Sequence, residues 1–438
     1  MSAQGKKVIW WGIVIIVITV LAVLSATPAA AQKKSKNAAP APTTPASTTP
    51  KRADINKQYL VWPNPPAIAR LHWIDEFTGE KVDDAAVKKA TKPKQGWMDR
   101  LAGAQPVAER QTKLPFQLMR PYGVAFDSKG QIYVADQAAG CIFIFNPESR
   151  FDVQMIRNKM EANFGFITGI AIDDNDRLFV ADDKTGFVIV IGKDHKQEAT
   201  VGAGQIVRPG GIAIDKENRF LYVVDTGNDV VMVYDADSLK YLRKIGVPSK
   251  KHTLTDPGTF SLPTGVAVDK EGNVYVTDTL NNRVEIFDAE GNFVSMFGKA
   301  GDGPGHFARP KGIAIDSDDH IWVLDAVQNR MKVFNKDGQL LIYVGESGGW
   351  PGQFQEPWGI AIDQKTNRIV TTEQWGGRVQ MFRYVTDAEA EQLRKEKEGL
   401  TAPASAKSEP PKTTSTEQAA TNAAKPAPAA PAPDKTNK

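Results

Sequence analysis

Six acids recur where short apolar runs end: Asp136, Asp182, Asp225, Asp278, Asp325 and Glu373. A set of carboxylates is what a hard cation such as calcium takes as ligands. Each acid, however, closes its run at the same repeated place, so turn capping by the side chain accounts for all six at once. A structural role is the expectation. DDND from Asp173 and DSDDH from Asp316 resemble calcium loops faintly, but they lack the Gly and the distal Glu and fall where hairpin turns belong. The five histidines, His72, His195, His252, His306 and His320, include no pair at metal-ligand spacing. No G-x-S-x-G or Walker pattern is present. No catalytic residue, metal ligand or cofactor is assigned.

The side chains better suited to chemistry are those that bind. Tyr122, Trp350, Trp358 and Trp375 stand in turn-rich stretches, with Arg120, Arg378 and Lys311 nearby. Trp, Tyr and Arg carry most interface energy, and ring stacking combined with charged donors suits a sugar chain or an extended peptide. Arg120, Arg208 and Arg309 each stand before Pro in their repeat. The alternative for each Arg is a bridge to one of the repeated acids in a neighbouring unit.

What must position these residues is a repeat. LPTGVAVDKEGNVYVTDTLNNRVEIFDAEGNFVSMFG, from Leu262, holds four short apolar runs joined by turn sequences such as KEGN and AEGN. That is a four-stranded meander, too small to fold alone. Its opening recurs as GVAFD from Gly123, GIAID from Gly169 and Gly211, GVAVD from Gly265, and GIAID from Gly312 and Gly359, every 42 to 54 residues. Four strands at this period predict an all-β, six-bladed β-propeller. The Gly- and Ala-containing strand is innermost, where six blades converge and space is tightest.

At this point the residues resemble the NHL-repeat family of six-bladed propellers, of the exported bacterial type. The pattern G-x-G-x-F-x-x-P-x-G-x-A-x-D stands out in GDGPGHFARPKGIAID and recurs from Gly349 as GWPGQFQEPWGIAID. The resemblance implies a binding platform for protein or RNA, and only some relatives, such as gluconolactonase-like and amidating-lyase-like propellers, are enzymes. The sixth repeat shows only three strands. ARLHWIDEFTG from Ala69 resembles the fourth strand of the fifth repeat, so residues 69–77 are expected to close the last blade and protect its edge.

The remaining chain divides by composition. Residues 1–31 carry Lys6 and Lys7, an apolar run from Val8 to Leu24 and an Ala-rich end. This predicts an export segment, read as a membrane anchor in preference to a cleaved signal peptide. Residues 32–56 are a disordered tether and 399–438 a disordered Pro/Ala/Lys-rich tail. The propeller spans 57–385, including an insertion at 80–115 in which WMDRLAGA from Trp97 suggests a short helix. A further helix over 386–398 begins at the capping box of Thr386 and Glu389. The net charge of +3 gives no global pull on nucleic acid. Cys141 is the single cysteine, so no intramolecular disulfide forms and a small buried apolar role is expected.

The expectation is a non-catalytic binding propeller displayed outside the cytoplasmic membrane, taking a protein segment or cell-envelope glycan on its loop face and holding no cofactor and no nucleic acid. The alternative is a metal-dependent lactonase- or lyase-like enzyme with its site in the central channel.

Overall fold

In a computed structural model, the alternating apolar runs pair as the repeat demands. Residues 60–80, 116–149, 153–247 and 256–401 are described. The anchor, the 32–56 tether, the C-terminal tail beyond residue 401, residues 81–115 of the insertion and the Trp97 helix fall outside them. Among the described residues, no helix is long and apolar enough to cross a membrane.

The chain enters through β1 (Val61–Trp62) and β2 (Leu71–Phe77). Blade 1 is β3 (Pro121–Phe126), β4 (Ile132–Asp136), β5 (Cys141–Phe145) and β6 (Gln154–Arg157). Blade 2 is β7 (Ile167–Ile172), β8 (Leu178–Asp182), β9 (Phe187–Ile191) and β10 (Gln197–Val201). Blade 3 is β11 (Pro209–Asp215), β12 (Phe220–Asp225), β13 (Val230–Asp235) and β14 (Tyr241–Ile245). Blade 4 is β15 (Pro263–Val268), β16 (Val274–Asp278), β17 (Arg283–Phe287) and β18 (Phe293–Phe297). Blade 5 is β19 (Pro310–Ile315), β20 (Ile321–Asp325), β21 (Arg330–Phe334) and β22 (Leu340–Val344). Blade 6 adds only β23 (Pro357–Asp363), β24 (Arg368–Glu373) and β25 (Arg378–Tyr384) from its own repeat.

Every blade is an antiparallel meander, and β2 completes blade 6 by pairing with β25 from Leu71↔Tyr384 to Phe77↔Val379. The expected clasp is therefore present, and β1 extends it to a five-stranded sheet that the repeat pattern did not foreshadow. Six buried apolar clusters hold the ring, one in each seam between neighbouring blades. The seam of blades 6 and 1 joins Val370, Val379 and Met381 to Val124, Phe145 and, from the clasp, Phe77.

The first-strand glycines explain the ring's closeness. A Cβ on Gly312 would lie 2.3 Å from the carbonyl oxygen of Trp358, and one on Gly359 would lie 2.2 Å from that of Tyr122. Any side chain there would force adjacent inner strands apart. The motif Phe residues, Phe260, Phe307 and Phe354, are fully buried beneath the loops. Cys141 is buried as expected, and burial followed by the Asp136 charge pushes its thiol up to about 12.

After β25 comes α1 (Asp387–Thr401). It opens on reciprocal bonds, with Thr386 N–H donating to Glu389 Oε2 at 3.1 Å and Glu389 N–H to Thr386 Oγ1 at 3.2 Å.

Candidate functional site

Loops joining each fourth strand to the next first strand share a face with the loops joining strands two and three. The acids closing the second strands build this face from below. Asp136 accepts from the backbone N–H of Met119 at 2.6 Å and of Ala138 at 3.0 Å, tying the incoming loop to its own turn. Asp325 does the same with Ala308 at 2.7 Å and Gln328 at 3.0 Å. These carboxylates spend their lone pairs on backbone donors, as the repeated placement implies. Among the described residues, no group of three or more His, Cys, Asp or Glu is placed to hold a metal ion.

The pre-proline arginines behave differently from the expected bridges. Arg120, Arg208 and Arg309 give their backbone N–H groups, not their guanidinium groups, to the strand-end acids. Of the three side chains, that of Arg208 crosses to the neighbouring blade, where it meets Asp183 at 3.0 and 3.1 Å.

On this scaffold three sequence-identified residues come together. The rings of Tyr122 and Trp358 lie 4.3 Å apart across the seam of blades 1 and 6, at 41°. Lys311 Nζ sits 4.2 Å from the Trp358 ring centroid. Lys311 and Trp358 then share a cleft of about 720 Å³ with Trp375, Arg309, Glu356 and Asn329. Trp375 is 68% exposed, the largest exposure of any large apolar side chain described. Burial, then the Arg309 charge, lowers Lys311 to about 8, against a smaller opposite pull from Glu356. Burial likewise raises Tyr122 well above the usual phenol range, so its hydroxyl stays a neutral donor.

The other expected site residues divide. Trp350 is partly exposed at 39% and Arg120 is exposed, but neither lines the cleft. Arg378 is corrected: it is 3% exposed and belongs to the scaffold. Its guanidinium grips both oxygens of Glu373, reaches Glu76 and donates to the Gly349 and Gln353 carbonyls. Its place opposite Glu373 in the β24–β25 ladder is a cross-strand pair, which sequence spacing alone had aimed at the surface. Arg309 and Glu356 belong to the cleft although neither stood among the expected site residues. Their common signal is the position just before the strand-opening Pro.

A family of six-bladed β-propellers matches residues 161–257 and 265–331. A probable peptidyl-alpha-hydroxyglycine alpha-amidating lyase of Caenorhabditis elegans is 32% identical over 117 residues, 26% of this chain and 32% of that protein. NHL repeat-containing protein 2 of Gallus gallus is 30% identical over 102 residues, 22% of this chain and 14% of that protein. The chain thus spans a third or less of each curated relative. Among solved structures, virginiamycin B lyase from Staphylococcus aureus aligns with a TM-score of 0.46 at 15% identity, covering 61% of this chain and 95% of that one.

Proposed function

For this NHL-type six-bladed β-propeller we propose a non-catalytic binding role, in which a protein segment or cell-envelope glycan lies across the loop face over blades 5, 6 and 1. The single observation carrying this reading is the cleft shared by Trp358, Trp375, Lys311 and Arg309. The exposed indole of Trp375 offers stacking, and Lys311, over the Trp358 ring, and Arg309 offer charged donors to a ligand that needs both. The apolar run after Lys6 and Lys7 supports display outside the cytoplasmic membrane, with the N-terminal segment as the membrane contact. Immobilised full-length protein should retain a polymeric component of an envelope extract, and the Trp358→Ala/Trp375→Ala variant should not. Equal retention by both would end the proposal.

A second reading is a lyase-like enzyme, which the likeness to the amidating lyase favours. Elemental analysis of the purified protein separates the two. Stoichiometric metal belongs to the enzyme, and its absence after metal-replete purification belongs to the binding module.

A further inference from the structure

The outer rim of the ring is uneven in polarity. The fourth strands of blades 1 and 2, QMIR and QEATV, expose polar side chains such as Gln154, Arg157 and Glu198. The fourth strand of blade 6 carries β1 on its edge. The rim of blades 3 to 5 differs from both. In β18 the residues Phe293 to Met296 are all exposed, and FVSMF holds no charge. β22 reads LLIYV, also without charge, and exposes Leu341 and Tyr343. On the other flank β14 exposes Tyr241 and Leu242. Val294, in the middle, is the most open of these at 55%.

An open apolar edge invites association, and natural edge strands are blunted by charge, bulges or a cover. Register shifts in β14, β18 and β22 interrupt the outer ladders, so this rim offers side-chain contact and not a place for an added strand. The charges on its two flanks say what covers it. Blade 3 brings the exposed Lys240 and Lys244, towards either end of β14. Blade 5 brings the exposed Asp337 and Glu346, beyond either end of β22. Charges of the opposite sign in the two turns are already engaged. Asp235 caps its own turn at Ser238, Asp237 is held by Arg219, and Lys336 bonds Glu271. One flank is therefore basic, the other acidic, and the centre uncharged. Every fourth strand runs towards the loop face, so Lys244 and Glu346 stand at the loop-face level and Lys240 and Asp337 at the opposite one. An anionic lipid surface would be repelled by the acidic flank, whereas a second copy of the same rim complements both flanks.

We propose that the rim of blades 3 to 5 is the contact between two copies of this chain, related by a two-fold axis parallel to the channel, with β18 against β18 and the basic flank of each copy against the acidic flank of the other. Rotation about that axis keeps every residue at its level, so Lys244 meets Glu346 of the second copy and Lys240 meets Asp337. A two-fold axis across the channel direction would set blade 3 against blade 3, lysine against lysine. The arrangement keeps both loop faces on one side and leaves the clasp on the rim of blade 6 free. Two clefts then point the same way, and a ligand with repeated binding sites gains from the second. That gain rests on the loop-face reading, and the contact itself does not.

The test joins sedimentation of the full-length protein in detergent with zero-length carbodiimide coupling, read by peptide mass spectrometry on an equal mixture of unlabelled and isotope-labelled chains. Sedimentation should show a dimer that dissociates on dilution. Coupling should form Lys244–Glu346 and Lys240–Asp337 amides between a labelled and an unlabelled chain. Lys244→Glu should raise the dissociation constant about tenfold or more, and adding Glu346→Lys to the same chain should return it close to wild type. Val294→Glu should give monomers with an unchanged backbone spectrum, since this side chain is exposed. A chain that is monomeric at every concentration overturns the proposal and leaves the rim to a lipid surface or to another protein. A dimer untouched by Val294→Glu, or coupled only through other residues, overturns it as well. Any of these failures leaves the Trp375 cleft standing, because no readout here uses a ligand.

Discussion

Arg378 Nη1 lies 2.9 Å from Glu76 Oε2, joining residues 302 positions apart in the chain. The same guanidinium neutralises Glu373 with bonds of 3.0 and 2.7 Å. All its donors are used, so the last blade, its entering loop and the clasp meet on one buried cation.

Replacing Arg378 with Ala should therefore cost about 3–5 kcal/mol, because Glu373 is left buried without its cation. Urea unfolding measures this. A loss below about 1 kcal/mol, the level of an exposed pair, would mean that the contact is marginal.

Deleting residues 57–79 removes β1 and β2 together and uncovers the edge of β25. Leu71, Trp73 and Phe77, at 1%, 8% and 5% exposure, lose their buried faces. Burial of three such side chains corresponds to roughly 5 kcal/mol or more. The truncated protein should melt well below the full chain, and an unchanged melting temperature would show that the ring closes without the clasp.

The fold was legible because each repeat restates it. Gly123 through Gly359 mark the inner strands, and the acids from Asp136 to Glu373 mark the strand ends that they cap. The clasp was legible because ARLHWIDEFTG has the look of a fourth strand. β1 was not, since Val61 and Trp62 make a two-residue ladder with no periodicity to read. The site was legible in part. The residue before each repeat glycine must face the channel, so Tyr122, Lys311 and Trp358 follow from register. Arg378 has the same residue type as a surface anchor, but β24–β25 pairing sets it opposite Glu373 and buries it. Glu356 shares with Arg309 the place before the strand-opening Pro, but that place alone does not aim a side chain: it enters the cleft through the loop's backbone path, at a positive φ of 53° and with its N–H held by Asn329 at 2.7 Å.

On the opposite face, His320 Nδ1 lies 3.1 Å from Asp316 Oδ2 and 3.1 Å from the Tyr384 hydroxyl, with Asp318, Asp387 and Arg70 close by. Burial alone would lower this imidazole, but the Asp316 bond and the Asp316, Asp387 and Asp318 charges outweigh it and the net shift is upward. Folding then favours the protonated ring. Its contribution is full below the ordinary histidine range and fades as pH rises through the raised value. The stability difference between wild type and His320→Gln should shrink from pH 5.5 to 8.5. A constant difference would show that the ring does not titrate with folding.

Lys311 has the reverse sign. Burial holds it near 8, below its unfolded value, so the unfolded chain binds the extra proton between the two. Without ligand, Lys311→Met should stabilise the protein at pH 7 by about 2 kcal/mol, and that advantage should narrow as pH rises from 8 towards 10. A variant less stable than wild type at pH 7 would show that the ammonium is satisfied where it stands.

The loop-face ligand site is tested most directly by Trp358→Ala/Trp375→Ala. Neither ring belongs to any of the six inter-blade clusters. The double variant should fold with wild-type backbone spectra and a melting temperature lowered only modestly by loss of the Tyr122–Trp358 stack, worth about 1 kcal/mol, while binding of the retained envelope component to the folded variant, measured by calorimetry, weakens by about 2 kcal/mol or more, roughly thirtyfold. Binding equal to wild type in a fully folded variant would contradict the account.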